Sequence, residues 1–144
     1  MTRARDLATG ILPGVWTSYT PTFTNLTVGN GTINAAYAQI GKTVVVRISF
    51  TWGSTTSATS GATAVSLPVA AKSVGTSYGV GTAYVENSGI AGYISSTMIN
   101  TSSSTFSFAV IGTNGLVSTF TTGSQPFTWG IADFFQTIFT YEAA

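Results

Sequence analysis

The clearest hydrophobic pattern in the chain runs from Lys42 to Trp52, where apolar and polar residues alternate. This period of two is typical of an antiparallel strand with one face against a core and the other half solvated. Thr32 to Ile40 alternates as well, and Ile40-Gly41-Lys42 between them supplies a tight turn. The two stretches therefore predict a hairpin. The face expected in the core is Val44, Val46, Ile48, Phe50 and Trp52, and the opposite face carries Arg47.

The chain from Trp16 onward continues as short alternating stretches separated by Gly, Asn, Ser and Pro. Seven to nine strands at this spacing predict an all-β fold, an antiparallel β-sandwich of jelly-roll or related type. The low-complexity stretch Gly53 to Gly61 is expected to be a loop with nothing to bury. Further strands are predicted at 21–28, 62–69, 77–86, 90–99 and 105–111, with one or two more within 128–141.

The first fifteen residues differ from the rest. Arg3, Arg5 and Asp6 place three of the chain's nine charged residues within four positions, and Pro13-Gly14 ends this segment. We predict an N-terminal arm at residues 1–15 and a sandwich domain at 16–144. Because chain ends are mobile unless something holds them, we expect the arm to dock on a neighbouring protein through Arg3, Arg5, Asp6 and Leu7.

The composition excludes several kinds of site. There are no cysteines and no histidines, which removes disulfides, thiol catalysis, the usual zinc ligands and the most common proton-transfer group. Charged residues make up 6% of the chain and the net charge is +1, so nucleic acid and anionic membranes are not expected partners. No apolar run approaches the roughly 20 residues of a membrane-spanning helix. Without a secretory signal, we expect synthesis in a cytosol.

The last predicted strand is apolar on both faces. A two-layer sandwich buries one face of each strand, so the second face needs a partner, which packing of subunits about a symmetry axis would supply. Alternatively, Phe134 and Ile138 pack under a long loop of the same chain. One face carries Phe135, Phe139 and Tyr141. The other carries Phe134, Ile138 and Thr140. The expected subunit interface consists of Phe134, Phe135, Ile138, Phe139 and Tyr141.

Candidate catalytic groups are few. Glu86 and Asp133 are two of four carboxylates and could converge as the acid pair of a glycosidase, but surface placement or a hydrogen-bonded turn role is the favoured interpretation. No Ser-x-x-Lys motif precedes Lys42 or Lys72. The sequence therefore predicts no enzyme, no cofactor and no metal.

Aromatic side chains offer a second possible function. Trp16, Tyr19, Trp52, Trp129 and the other tyrosines could stack on sugar rings, although core and interface packing account for most such residues. Arg47 is interpreted as a solvated or interface charge. A glycan contact stays open, with no residues assigned to it.

Three stretches of the chain are distinctive together: residues 16–32, WTSYTPTFTNLTVGNGT, residues 37–44, YAQIGKTV, and residues 66–71, SLPVAA. They resemble a β-rich domain that recurs in structural proteins of tailed bacteriophages, at the ends of tail fibres and minor tail proteins. The resemblance covers about residues 16 to 71, and Arg3 to Ala8 is similar to the short leader before such domains. It implies a homotrimeric, non-enzymatic virion component.

Met1 lies only about fifteen residues before the predicted sandwich, so we expect no shaft, which suits a stand-alone knob with a short arm. The expected role is therefore a head-decoration or cement protein on the outer surface of the virion, with a tail-fibre or tail-tip receptor-binding protein as the alternative. Expected partners are further copies of the chain, a major capsid or tail protein, and a host-surface glycan in the alternative role. A sugar-binding module and a depolymerase using Glu86 and Asp133 are rival functions.

Overall fold

The computed structural model describes residues 15–59, 61–111, 117–119 and 125–144. Twelve strands lie in these ranges, and no helix does. Their bounds are β1 (Thr17–Ser18), β2 (Phe23–Thr24), β3 (Leu26–Thr27), β4 (Thr32–Ile40), β5 (Thr43–Thr51), β6 (Ser57–Ala58), β7 (Ala64–Ser66), β8 (Tyr78–Asn87), β9 (Ala91–Ile99), β10 (Thr105–Ile111), β11 (Val117–Thr119) and β12 (Phe134–Glu142).

One antiparallel sheet forms most of the molecule and curls into a half-barrel. Its strand order is β1-β4-β5-β12-β8-β9-β10-β7-β2, with β11 on β10, and β3 and β6 form a separate pair. This confirms the predicted all-β, antiparallel, sandwich-like fold. The described part of the chain contains no helix that could cross a membrane. The predicted arm, with Arg3, Arg5, Asp6 and Leu7, lies outside the described residues except for Val15.

The two edges of the large sheet are joined by one short stretch of chain. β1 pairs with β4 at one edge and β2 pairs with β7 at the other. Between them, Tyr19 donates its backbone N–H to the Ala35 carbonyl at 3.2 Å, and the Thr22 carbonyl accepts from Ser66 N–H at 2.9 Å. Residues 17–24 therefore satisfy backbone groups of both edges, which would otherwise be open to pairing with other chains.

The predicted hairpin is confirmed as β4 and β5. The pairing runs from Thr32–Thr51 to Ile40–Thr43, and Gly41 in the turn has a φ of 59°, in the left-handed region that favours glycine. The expected core face of β5 is buried throughout, while Arg47 lies on the exposed face. Alternation in sequence thus gave the correct orientation of this strand.

The strand β8 contains an irregularity that its sequence pattern reflects. Tyr78 and Val80 pack against the core, and so do Ala83 and Val85, although the two pairs have opposite parity. The register with β9 shifts between Gly79 and Gly81. A bulge that adds one residue to β8 restores the core-facing direction for the second half of the strand.

The core inside the curled sheet contains a cluster of aromatic rings. Phe135 lies 5.6 Å from Phe50 and 4.6 Å from Phe108, measured between ring centres. On the same face of β12, Phe139 lies 4.8 Å from Phe106. These tilted contacts are the geometry that aromatic pairs favour, and they place one whole face of β12 inside the chain's own core.

The expectation that residues 53–61 have nothing to bury is wrong. β6, within this stretch, pairs with β3, and Ala58 packs against the core. Asn30 fixes the loop, since its side-chain Oδ1 accepts hydrogen bonds from both the N–H and the hydroxyl of Thr55, each at 2.9 Å. Hydrogen bonding by hydroxyl and amide side chains therefore holds this loop together with the packing of Ala58.

Candidate functional site

Five adjacent strands, β4, β5, β12, β8 and β9, present an extended outer face. Antiparallel register aligns the outward side chains of these strands in rows that run across the sheet. One row is Asn34, Ser49, Gln136, Tyr84 and Ile94, and the next is Ala36, Arg47, Ile138, Thr82 and Ser96.

All members of these two rows except Ser96 and the buried Ala36 line a groove of about 420 Å³. Ile138 is 61% exposed and Ile94 is 71% exposed, so both isoleucines offer apolar surface in it. The remaining side chains on its surface are mostly neutral hydroxyls and amides, together with Arg47. The groove therefore combines single apolar contacts with many polar groups, and we call it the outer groove.

Arg47 is held in a defined position at one side of the outer groove. Its guanidinium carbon lies 4.8 Å from the centre of the Trp16 ring, close enough for a cation–π interaction. Within the described part of the chain it makes no ion pair and no side-chain hydrogen bond. Its N–H groups are thus available for an external acceptor.

Tyr84 forms the opposite side of the outer groove. Its hydroxyl donates to the Glu86 carboxylate at 3.0 Å, and this hydrogen bond raises the pKa of Tyr84. Its ring lies 5.9 Å from that of Phe134 and covers Gly92, where any side chain would collide with it. Three neighbours therefore fix the orientation of the ring.

Asp133 ties two loops together at one end of β8 and β12. Its carboxylate accepts hydrogen bonds from the backbone N–H of Ser88 at 2.8 Å and of Gly130 at 2.6 Å. Those loops carry Ile90 and Ile131, which are 78% and 69% exposed. Half-buried Phe134 adjoins Asp133 in sequence. We call Ile90, Ile131 and Phe134 the end patch.

Asp133 and Glu86, the two carboxylates considered as a catalytic pair, both accept hydrogen bonds from the chain itself. Asp133 is buried and both of its carboxylate oxygens accept backbone hydrogen bonds, which confirms its interpretation as a hydrogen-bonded turn residue. Glu86 is opposite Phe134 in the strand register and is bonded by Tyr84. No group of three or more acidic residues that could hold a metal ion occurs within the described ranges.

Four of the aromatic residues considered for sugar stacking contact other side chains of the chain. Trp52 is buried and stacks on Trp129, with ring centres 4.6 Å apart. Trp16 lies beneath Arg47. Tyr19 packs edge-on against Tyr37, and its hydroxyl is buried without a hydrogen-bond partner among the described residues.

The expected subunit interface needs a correction. Phe135, Phe139 and Tyr141 are buried in the core of their own chain, so they have no surface to offer a second copy. Phe134 and Ile138 do lie on the other face, as the alternation indicated. The alternative prediction, that a long loop of the same chain covers this face, is wrong for Ile138, which is exposed.

Comparison of the chain with protein-family models, with curated proteins and with solved structures finds no match. The outer groove escaped sequence analysis because its residues come from five strands that are distant along the chain. Only the pairing register brings Asn34, Ser49 and Gln136 into one row.

Proposed function

We propose that this chain is a non-enzymatic structural protein of a tailed-bacteriophage virion, a homotrimeric knob that faces outward and is anchored through its N-terminal arm. The phage assignment is supported by the sequence resemblance of residues 16–71. Decoration or cementing of the head is the leading role, and receptor binding at the tail is the alternative.

The observation that carries self-assembly is the end patch. Ile90 and Ile131 are exposed on two loops that Asp133 fastens together, and half-buried Phe134 follows Asp133 in the chain. Burying an isoleucine side chain stabilises an association by roughly 1.5–3 kcal/mol, and a rigid pair of loops loses little conformational entropy when it binds. This surface supports packing against further copies.

Light scattering of the purified chain tests the assembly. We expect a trimer mass for the wild type and a monomer mass for the double variant Ile90→Asp/Ile131→Asp, since an unpaired carboxylate in an apolar interface is strongly unfavourable. Ile40→Asp is the matched control, because Ile40 is 63% exposed at the hairpin turn, at the far end of β5. A wild-type monomer, or a trimer that survives the double variant, would refute the proposed contact.

The location in the virion decides between the two roles. Gold-labelled antibody against this chain, viewed on intact virions by electron microscopy, should label the head if the protein is a decoration or cement protein. Label at the tail would establish the receptor-binding role instead, and absence of label from purified virions would overturn the virion assignment.

A further inference from the structure

We infer that the outer groove is a binding site for an acidic saccharide, with Arg47 as the carboxylate-binding residue and the row Asn34, Ser49 and Gln136 as the hydroxyl-binding residues. The groove adjoins the end patch where the Tyr84 ring lies 5.9 Å from that of Phe134, but none of these four binding residues belongs to that patch, so this inference does not depend on self-assembly. Its volume of about 420 Å³ falls in the ~300–1,000 Å³ range of small-molecule sites.

The polar row is the first argument. Asn34, Ser49 and Gln136 lie opposite one another on three adjacent strands, and neighbouring strands are ~4.8 Å apart. Within the described part of the chain, none of the three side chains forms a hydrogen bond. By contrast, Asn25 and Asn30 both use their side-chain amides to fix loops. The row therefore offers donors and acceptors in a regular line to an external molecule.

The charge of Arg47 is the second argument. A guanidinium offers paired N–H donors that match a carboxylate in a bidentate geometry. The Trp16 ring holds this group in place, which reduces the entropy lost on binding. At the other side, Glu86 beyond Tyr84 supplies a negative charge. A ligand with one acidic end would therefore be oriented with that end at Arg47.

The paired backbone of the groove is the third argument, and it favours a saccharide over a peptide. Extended peptides bind sheets by adding to an edge strand through main-chain hydrogen bonds. Here β5, β12 and β8 are each paired on both sides, so only side chains are presented. Sugar rings, with hydroxyls at their rims and C–H groups on their faces, match a surface of amides and hydroxyls around Ile138 and Ile94.

The test uses the full chain labelled with ¹⁵N and titrated with a tetrasaccharide of alternating glucuronic acid and N-acetylglucosamine. We expect the side-chain amide signals of Asn34 and Gln136 to shift with saturable dependence on ligand. A neutral tetrasaccharide of N-acetylglucosamine should bind at least tenfold more weakly. Shifts confined to residues outside the groove, or no saturable shifts at all, would overturn the proposal.

Variants assign the roles of the side chains. Arg47→Gln should weaken binding of the acidic tetrasaccharide roughly tenfold or more, as expected for a lost charge-assisted hydrogen bond, and leave neutral binding unchanged. Lys72→Gln is the matched control, because Lys72 is paired with Glu142 at 3.2 Å, away from the groove. If both variants weakened binding of the acidic tetrasaccharide equally, the affinity would depend on the net charge of the protein and not on Arg47, which would refute the site.

A glutamate-containing hexapeptide of equal charge provides the competing ligand. If it shifts the same amide signals with equal or higher affinity than the tetrasaccharide, the site is an acidic-peptide site and the saccharide assignment is wrong. Loss of the trimer in light scattering, with the tetrasaccharide shifts retained, would refute the proposed assembly and leave this inference standing.

Discussion

Asp133 accepts a hydrogen bond of 2.8 Å from the backbone N–H of Ser88 across the end of the sheet. Its second carboxylate oxygen accepts one of 2.6 Å from Gly130, so a side chain that the sequence offered as a catalytic acid serves to join two loops.

Asp133→Asn replaces one acceptor oxygen with an amide that faces an N–H group. We expect the free energy of unfolding to fall by about 1–3 kcal/mol, because one buried donor loses its partner. Urea denaturation followed by tryptophan fluorescence measures this. Glu86→Gln is the matched variant, since its carboxylate accepts from Tyr84 on the surface, and it should cost less.

The same two variants test the depolymerase function. If Glu86 and Asp133 were a catalytic pair, the wild type would release oligosaccharide from a host polysaccharide. Either substitution would then abolish that release. We expect no release from the wild type, measured by a reducing-end assay. Release that is lost in both variants would contradict the non-enzymatic assignment.

Alanine substitutions at the two glycines beside the β8 bulge should affect stability differently. A Cβ at Gly81 would lie 2.9 Å from the Phe139 Cβ and 3.2 Å from the Ile138 carbonyl, whereas one at Gly79 would meet only the Ser96 hydroxyl at 3.6 Å. Gly81→Ala should therefore destabilise the chain by roughly 1–3 kcal/mol. Gly79→Ala should be within about 0.5 kcal/mol of the wild type. Thermal unfolding by circular dichroism compares them, and equal midpoints would contradict this account of the bulge.

Two tyrosine hydroxyls in similar surroundings should respond differently to removal. The Tyr141 hydroxyl donates to the Val69 carbonyl at 2.7 Å, while that of Tyr19 is buried with no partner in the described residues. Tyr141→Phe should cost about 1 kcal/mol of unfolding free energy. Tyr19→Phe should be neutral or stabilising, since it removes an unpaired polar group. A larger loss for Tyr19→Phe in urea denaturation would reverse this interpretation.

Burial of Tyr141 raises its pKa to about 12, although the hydrogen bond to Val69 acts in the opposite direction. In the unfolded chain tyrosine ionises near pH 10. The unfolded state therefore releases its proton first, and the free energy of unfolding should fall as the pH rises from about 10 to 12. Tyr141→Phe should flatten this decline in urea titrations at each pH. If the free energy of unfolding of Tyr141→Phe fell with pH as steeply as that of the wild type, the decline would come from other groups.

Removal of residues 1–15 tests the anchoring arm. The truncated chain should keep its all-strand circular dichroism spectrum and its trimer mass. It should lose co-sedimentation with virions that lack the protein, whereas the full chain should co-sediment. A truncated chain that fails to fold, or that still co-sediments, would refute the arm as an anchor.

The sequence predicted those parts of the fold that depend on local alternation. β4 and β5, with the Gly41 turn, follow directly from period-two patterning, and so does the direction of Ile138. The opposite parities of Val80 and Ala83 were visible in sequence, but only the β9 register identifies them as a bulge. The alternation of apolar and polar residues therefore predicts where strands lie and which of their side chains face the core.

Relationships between distant strands could not be predicted in this way. Alternation showed that both faces of β12 are apolar, yet it could not show that Phe135 and Phe139 meet Phe108 and Phe106 within the same chain. The outer groove was missed for the same reason, because its rows depend on pairing register. Asn30, which holds the loop after β5, likewise acts on residues about 25 positions away.

The position of β12 between β5 and β8 has a consequence for how the sheet is completed. Of the described strands it comes latest in the chain, yet it pairs with both the β4–β5 hairpin and the β8–β9–β10 meander. A chain cut between Gly130 and Phe134 would leave an open slot between β5 and β8, while residues 17–24 would still bridge the outer edges of the sheet. A synthetic peptide covering Phe134–Glu142 should fill that slot as a donated strand, so the molecule lends itself to reconstitution from two fragments.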